Sequence, residues 1–504
     1  MSSGTFGTSL YGAGVYGATP PLWWQVMIEW DGTTFVDEGP NLMELRSSRG
    51  RTKTLRGANG FEPMGIGELV LTFRNFDGRY DPLNSSSPLY PDVAPGAEVR
   101  VSVIHSGLTY DVFCGHIYDI KPIANGANRR AQIIVRDGWQ WLKDRKVRAE
   151  TRFDFRTDEA IDTIATNAGY PFLVLVETGD DTIPYWWAGN RDAMTEIQSV
   201  AESECGTVNI NRSGILTFTP RSALRGITAS HTLTGSNIQE LNFAQPWDVV
   251  RNVIQVRSYP TEVRTGQVLW RSQAPIRLRA GHTRNFVVDY NLQTAQDEEG
   301  LAINVKASAL STVTPVATTD YTAYENADGS GATVTGDISI FVDNLGEQAR
   351  IEMTNSGTST AWVTLKLRGA VIIKNNAVTM ETDNSGGETA RSFVLDVPWQ
   401  QDVDKAQLYA DFLAAFLSDP RAAPTVRMNN AGLDIQLAEL FTGYELDITG
   451  VVENKIYRSC GVDHSWSALS PLVLNTRLYL EHTDETDYFT LDVSELDSTD
   501  ELAY

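Results

Sequence analysis

The sequence predicts a mainly β, multidomain protein with small α/β parts. The chain has 504 residues, too many for one hydrophobic core, which indicates about three to five domains. Apolar and polar residues alternate through much of the chain, as at Leu69, Leu71 and Phe73, and this period of two is typical of strands with one buried face. Helical periodicity is confined to short stretches, so we expect strands to dominate.

Composition excludes several classes of function. Lys and Arg number 41 against 64 Asp and Glu, and a net charge of −23 opposes binding to phosphate backbones or anionic lipids. The three cysteines are widely spaced and odd in number, which favours buried thiols over a disulfide framework. No apolar run reaches the ~18 residues of a membrane span, and no basic residue precedes Arg46 as a secretory signal requires. We therefore expect a soluble chain.

The first 22 residues are rich in Gly, Ser, Thr and Tyr, which predicts a flexible arm that orders only against a partner. Gly12, Gly14 and Gly17 fit the GxGxxG spacing of dinucleotide-binding loops. That motif needs a strand before it and a helix after it, whereas Pro20 and Pro21 follow here. We exclude the dinucleotide interpretation and expect no cofactor.

Residues 23–150 are predicted to form one β domain. A strand ending near Asn75 leads into a loop, 75–89, dense in turn-forming residues, and two further strands complete a meander. Gly115 lies inside the third strand, which indicates a bulge or a close approach of another backbone. A short helix is expected near residues 139–145.

Residues 151–238 are predicted to form a small α/β domain. A helix with one apolar face begins at Thr157 and stops before Gly169, and a second follows Asn190 as its cap and stops before Gly206. Two short strands then flank residues 211–214, a turn sequence that predicts a hairpin.

The remaining chain is mostly extended. Residues 261–380 show short strands separated by turn clusters and no helical period, which predicts a β-sandwich insertion. The segments 239–260 and 381–480 are predicted to form a second β domain with one helix, which ends at Asp419-Pro420. Residues 481–504 hold nine acidic residues and no Lys or Arg, so we expect an acidic tail.

The meander carries a recognisable pattern. Its first strand ends in NFDGRYDPLN at residues 75–84, followed by SPLY at 87–90, PGAEVRV at 95–101 and FCGHIYDI at 113–120. This pattern resembles the amino-terminal domain of minor tail and baseplate (tail tip) hub proteins of long-tailed bacteriophages. Segments 193–221, 246–256 and 393–480 resemble the same family.

The resemblance implies two tail-tube-like β-barrels and a structural virion protein without enzymatic activity. Such a hub forms a ring at the distal end of the tail tube and joins the tube to the host-recognition apparatus, with DNA passing through or gated at its lumen. It implies a homotrimer, assembled in the host cytoplasm, whose partners are the distal tail ring, tail-tube proteins and tail fibre or receptor-binding proteins. An acidic lumen would keep DNA phosphates from adhering.

Two distant stretches match each other. Gly96-Ala-Glu98-Val99 precedes Cys114-Gly115, and Gly443-Tyr-Glu445-Leu446 precedes Cys460-Gly461 at nearly equal spacing. The match predicts that the two β domains are structural repeats. A ring of three chains would then present six similar units, which suits docking onto a sixfold tube.

Two groups of side chains are candidate contact residues. Loop residues Asp77, Arg79, Tyr80, Asp81 and Pro82 either contact a neighbouring subunit or hold the loop by Asx-type hydrogen bonds and a local ion pair. Trp186, Trp187 and Trp362 are candidate carbohydrate-contact aromatics or core residues. Carbohydrate contact by these tryptophans would indicate another class of function, a tail protein that binds host-surface carbohydrate or degrades the cell wall.

No catalytic or metal motif supports that alternative directly. A glycosidase needs two carboxylates at a suitable separation, but 64 acidic residues offer many unspecific pairs. Cys114 and His116 lack a second ligand pair at zinc spacing. Oxygen donors alternate from Glu325 through Asp328 to Ser330 as in calcium loops, without the trailing Glu of an EF-hand, so a polar turn explains them equally well.

Overall fold

The computed structural model describes residues 22–51, 63–125, 128–224, 227–243, 250–290, 295–296, 302–303, 308–387, 389–418, 422–429 and 431–482. The predicted arm and acidic tail lie almost wholly outside these residues, and so do parts of several loops. No described helix is both long and apolar enough to cross a membrane.

The amino-terminal part contains seven strands, and their side chains alternate between buried and exposed as predicted. These strands are β1 (Trp23–Ile28), β2 (Val36–Asp37), β3 (Leu42–Gly50), β4 (Glu68–Arg74), β5 (Glu98–His105), β6 (Leu108–Asn125) and β7 (Asn128–Arg136). A Cβ at Gly115 would lie 2.1 Å from the carbonyl oxygen of Arg136, so this position is a close backbone approach that only glycine allows.

A small α/β part follows. Its elements are α1 (Gly138–Lys143), β8 (Lys146–Arg156), α2 (Thr157–Asn167), β9 (Val174–Val176), β10 (Thr182–Asp192), α3 (Ala193–Glu202), β11 (Thr207–Ile210) and β12 (Leu216–Thr219). The carboxylate of Asp192 accepts a hydrogen bond from the amide of Thr195, so Asp192 rather than the expected Asn190 caps α3. The predicted hairpin pairs β11 with β12.

The chain then passes through β13 (His231–Thr234), β14 (Glu240–Asn242) and β15 (Val253–Ser258) into a long β insertion. The insertion contains β16 (Thr261–Arg271), β17 (Ile276–Leu278), β18 (Thr283–Asp289), β19 (Ala295–Gln296), β20 (Ala302–Ile303), β21 (Ser308–Thr312), β22 (Tyr321–Tyr324), β23 (Ile338–Asn344), β24 (Gln348–Asn355), β25 (Ala361–Lys374) and β26 (Val378–Asp383). The sheet around β25 and the three-stranded sheet around β24 share one apolar core, the arrangement of a sandwich.

The final part begins with β27 (Ser392–Asp396) and α4 (Val403–Leu417) and continues through β28 (Thr425–Asn429), α5 (Leu433–Gln436), β29 (Gly443–Ile448), β30 (Val452–Ser467) and β31 (Asn475–His482). Asp402 caps α4 through the amides of Asp404 and Lys405. The helix packs on β15, β26 and β27, which form a separate three-stranded sheet.

The two ends of the chain meet in one 13-stranded sheet. Its order is β14, β28, β31, β30, β3, β4, β7, β6, β5, β1 and β2, and β29 and β13 attach beside β30. The amino-terminal strands curve around one core, in which Trp24 of β1 contacts Trp466 of β30 at 5.5 Å between ring centroids. The carboxy-terminal strands enclose a second core around Tyr444, Tyr457 and Leu478.

The mainly β, multidomain fold class is confirmed. No pairing among the described strands closes either half into a barrel, so the two expected barrels are curved, open halves of one sheet. The division of the chain also differs from expectation. β13, within the range expected for the α/β domain, pairs with β29. β15 and β27, expected in the second β domain, instead form a separate sheet with β26 beneath α4.

Candidate assembly surface

The two halves of the large sheet repeat one strand order. The amino-terminal half reads β1, β5, β6, β7, β4, β3, and the carboxy-terminal half reads β13, β29, β30, β31, β28, β14. In each half the strands at the two ends of this order come early in the chain, β1 and β3 in one half and β13 and β14 in the other. The short β2 pairs with β1 outside the repeated order. One difference is that β1 pairs antiparallel with β5, whereas β13 pairs parallel with β29.

A β-bulge fixes how the two halves correspond. The pairing of β6 with β7 shifts between Ile117 and Asp119, and that of β30 with β31 shifts between Ser459 and Gly461. Tyr118 therefore corresponds to Cys460, and the expected equivalence of the two Cys-Gly pairs is wrong. Both halves have the same strand order and the same bulge, because these features set the shape of the sheet. The residue types at equivalent positions differ.

The seam between the halves is the antiparallel pairing of β3 with β30, from Glu44 opposite Ser467 to Gly50 opposite Gly461. A Cβ at Gly461 would lie 2.0 Å from the carbonyl oxygen of Arg51, so the backbones meet too closely there for any side chain.

Ion pairs reinforce the seam. Arg49 Nη1 lies 2.7 Å from Glu439 Oε1, and Arg51 Nη1 lies 3.0 Å from Glu481 Oε2. Burial alone would raise the pKa of both carboxyl groups. The charge of Arg49 holds the pKa of Glu439 below its usual range, and the charges of Arg458 and Arg51 do the same for Glu481. Both acids are therefore charged at neutral pH and hold the halves together.

A buried histidine lies beside the seam. His464 is 3% exposed, and its Nδ1 lies 3.0 Å from Thr476 Oγ1. Burial lowers the pKa of His464 to about 3, and the charges of Arg49 and Arg212 act in the same direction. The imidazole is therefore neutral at physiological pH, and protonating it costs folding free energy.

The face of the sheet opposite the core carries mixed charge. One row of directly opposed residues crosses nine strands, namely Glu240, Arg427, Arg477, Asp463, Ser48, Glu68, Arg136, His116 and Glu98. Directly opposed residues share a face, so four carboxylates and three guanidinium groups lie along one line. At the seam the row borders a hollow of about 650 Å³. This row is mixed in charge, whereas the chain as a whole is acidic.

The candidate contact loop after β4 is anchored by Glu38, which is 1% exposed. The carboxylate of Glu38 accepts hydrogen bonds from Arg79 Nη2 at 2.7 Å, from the hydroxyl of Tyr80 at 2.6 Å and from Trp30 Nε1 at 3.3 Å. Burial, together with this carboxylate, raises the pKa of Tyr80, so its hydroxyl stays a donor. Arg79 and Tyr80 thus point inward and hold the loop.

The other candidate residues of this loop have different positions. Asp77 Oδ1 accepts from the amide of Arg79, and Asp81 Oδ1 accepts from the amide of Leu83, so both are Asx-type caps. Pro82 is exposed.

The most exposed apolar side chains of the loop were not among the candidates. Phe76 is 56% exposed, Leu83 91% and Tyr90 50%, and Leu469 is 92% exposed in the turn between β30 and β31. That turn and the loop lie at the same end of the sheet, because β3 pairs Leu42 with Phe73 and Glu44 with Ser467. An anchored loop that exposes large apolar groups is typical of a contact surface.

The three tryptophans predicted as carbohydrate contacts are far less exposed to solvent. Trp186 is fully buried and Trp187 is 2% exposed, and both pack with Trp399 in the core of the α/β part. They present no face to a sugar. Trp362 is half-buried on β25, with the guanidinium group of Arg277 6.0 Å from its ring centroid, and it stays a candidate.

The described residues contain no group of three or more His, Cys, Asp or Glu side chains placed to hold a metal ion. Cys114 is buried, and burial raises the pKa of its thiol to about 12. His116 stacks between Trp141 and Phe172. Asp328 accepts hydrogen bonds from the amide and hydroxyl of Ser330, as in a polar turn.

No protein-family model and no curated protein matches the sequence. The solved structures that are similar to this chain include prophage tail proteins. The 43 kDa tail protein of prophage MuSo2 from Shewanella oneidensis is 10% identical with a TM-score of 0.49, covering 91% of this chain and 98% of that one. The tail protein from Neisseria meningitidis MC58 is 10% identical with a TM-score of 0.48, covering 91% and 96%. Prophage tail protein gp18 from Listeria monocytogenes EGD-e is 8% identical with a TM-score of 0.43, covering 90% and 94%. Likenesses at this level are no evidence of function.

Proposed function

We propose that this chain is a structural component of a phage-like tail, a hub that forms a ring of three copies at the tail tip. The observation that carries the proposal is the repeated strand order within one sheet. Three chains with two like halves each supply six like units, and closed cyclic symmetry makes such a ring self-limiting. The sequence pattern at residues 75–120 resembles hub proteins and supports the same function.

The seam explains why two units are joined in one chain. Backbone pairing of β3 with β30, the close approach at Gly461 and two ion pairs hold the halves in one fixed orientation. A rigid pair of units is the repeat that a ring with approximate sixfold symmetry needs. The ring would sit in the virion between the tail tube and the receptor-binding proteins, with DNA passing through or gated at its lumen.

Two measurements on the purified full chain test this function. The mass of the particle in solution, by sedimentation equilibrium across a concentration series, should reach three times 55.6 kDa. Incubation with peptidoglycan and host-surface polysaccharide should release no reducing ends and give no co-sedimentation. A closed assembly of another copy number contradicts the ring of three, and clear turnover of a polysaccharide supports a wall-degrading tail protein instead.

A further inference from the structure

The long strands β6 and β30 occupy equivalent places, but on the side away from β7 and β31 only β30 is paired along nearly its whole length. On one side of β30, β29 pairs with residues 452–458 and β3 continues the pairing with residues 461–467. On the same side of β6, β5 pairs with residues 108–116. Among the described strands, none pairs with β6 on that side beyond Ile117, where an amide bond to Ala97 ends the ladder.

The unpaired edge of β6 exposes large side chains as well as the protective Lys121 and Pro122. Tyr118 is 48% exposed and Ile123 45%, and residues 121–124 are all exposed. An open edge of this length is a template for another strand. Because β3 fills the equivalent place on β30, the occupant that fits is a strand equivalent to β3.

That strand is β14. It corresponds to β3 in the repeated order, pairs with β28 on one side only among the described strands, and has exposed side chains at Glu240 and Asn242. Within one chain β14 lies at the far end of the sheet from β6, so the β14 that reaches this edge must belong to a second copy.

We propose that β14 of one copy pairs antiparallel with the second part of β6 of the next copy, so that the joint between copies repeats the joint within each copy. This inference rests on the proposed ring and specifies its interface. Three such joints between copies and three β3–β30 seams would alternate around the axis. The interface is heterologous, and a closed rotation keeps it from growing into a filament.

The internal seam also gives the register. The first residue after the bulge is Asp119 in β6 and Gly461 in β30, and these residues pair with Ile134 and Tyr479. Val70 of β4 also opposes Ile134, and Thr425 of β28 also opposes Tyr479. Val70 and Thr425 therefore occupy equivalent positions. Arg46 opposes Val70, and Asn242 opposes Thr425, so Arg46 corresponds to Asn242.

Ser465 lies four residues after Gly461, as Ile123 lies four residues after Asp119. Since Arg46 pairs with Ser465, Asn242 of one copy should lie opposite Ile123 of the next. Leu241 then lies opposite Ala124 and Phe243 opposite Pro122. Pro122 has no N–H, which limits this edge to short pairings and disfavours indiscriminate association.

Disulfide trapping tests the pairing and its register. Directly opposed residues of an antiparallel pair bring their Cβ atoms to about 4.5–5.5 Å, within reach of a disulfide after small adjustment. The three native cysteines are buried and will not compete. Asn242→Cys combined with Ile123→Cys should give covalent dimers and trimers on oxidation, and neither single variant should.

Two controls accompany this variant. Arg46→Cys with Ser465→Cys should form a disulfide within one chain, because the same geometry is present there. Asn242→Cys with Ala124→Cys should not form one, because adjacent residues of a strand point to opposite faces.

The outcomes separate this inference from the proposed function. Covalent trimers from the variant that combines Asn242→Cys with Ile123→Cys support both the β14–β6 pairing and the ring of three copies. A trimer by sedimentation that gives no such cross-link overturns the β14–β6 pairing and leaves the ring intact. A cross-link in the Ala124→Cys control instead overturns the proposed register. A chain that stays monomeric at every concentration and gives no cross-link between copies overturns both.

Discussion

Replacing Glu38 by Ala should release the loop that follows β4. Glu38 is 1% exposed and accepts from Trp30, Arg79 and Tyr80, so its loss leaves a guanidinium group and a buried phenol without their acceptor. Removing one partner of a buried charge pair typically costs about 3–5 kcal/mol. Because every 1.4 kcal/mol is about tenfold in an equilibrium constant, opening of the loop should increase roughly a hundredfold or more.

Hydrogen exchange followed by mass spectrometry measures this opening locally. The amides of Gly78, Asp81, Asn84 and Ser87 form consecutive turn hydrogen bonds within the loop and should exchange much faster in Glu38→Ala. Amides in the middle of β6 should be unchanged.

The matched control is Glu44→Ala. The carboxylate of Glu44 is one-third exposed and lies 4.0 Å from Arg46, so its loss should cost at most about 1 kcal/mol. Unchanged exchange in the loop of Glu38→Ala, or an equal effect in both variants, would refute the assignment of Glu38 as the anchor.

Four further predictions follow from the seam and the surface. Gly461→Ala should destabilise the seam by about 3 kcal/mol by overpacking against Arg51, whereas Gly235→Ala, with no atom within 4 Å of its Cβ, should be nearly neutral in denaturant melts. The pKa of His464 is about 3 in the folded chain and 6.5 in the unfolded chain, so below pH 6.5 only the unfolded chain binds a proton at this imidazole. The free energy of unfolding should therefore fall by about 2 kcal/mol between pH 6.5 and pH 5. His464→Gln should lack this part of the pH dependence. An unchanged acid profile in that variant would contradict the assignment. Leu83→Asp should leave the melting temperature unchanged but weaken docking to partner tail proteins in a pull-down; normal docking would argue against the loop as a contact. Gel-shift titration with duplex DNA at physiological salt should show no complex, and micromolar binding would count against this.

Local patterns in the sequence predicted the elements well. Alternation located β4 to β6, because a sheet with one buried face imposes a period of two on its residues. The helices α2 and α4 followed from the apolar periodicity of one face. These signals are local, so a single sequence is enough to show them.

Long-range pairing could not be derived in the same way. The partner of Arg79 is Glu38, which lies 41 residues earlier, and not the neighbouring Asp77 or Asp81 that spacing suggested. The Cys-Gly match suggested a repeat through residues that the register shows to be non-equivalent. Register depends on which strands meet and where a bulge falls, and nothing in the local composition specifies either.

A three-dimensional reconstruction of the assembled particle by electron microscopy tests the central claim most directly. We expect three copies around one axis, with the β1–β7 half and the half containing β13, β14 and β28–β31 alternating at about one sixth of a turn. A different copy number, or two halves that do not superpose after that rotation, would contradict the account.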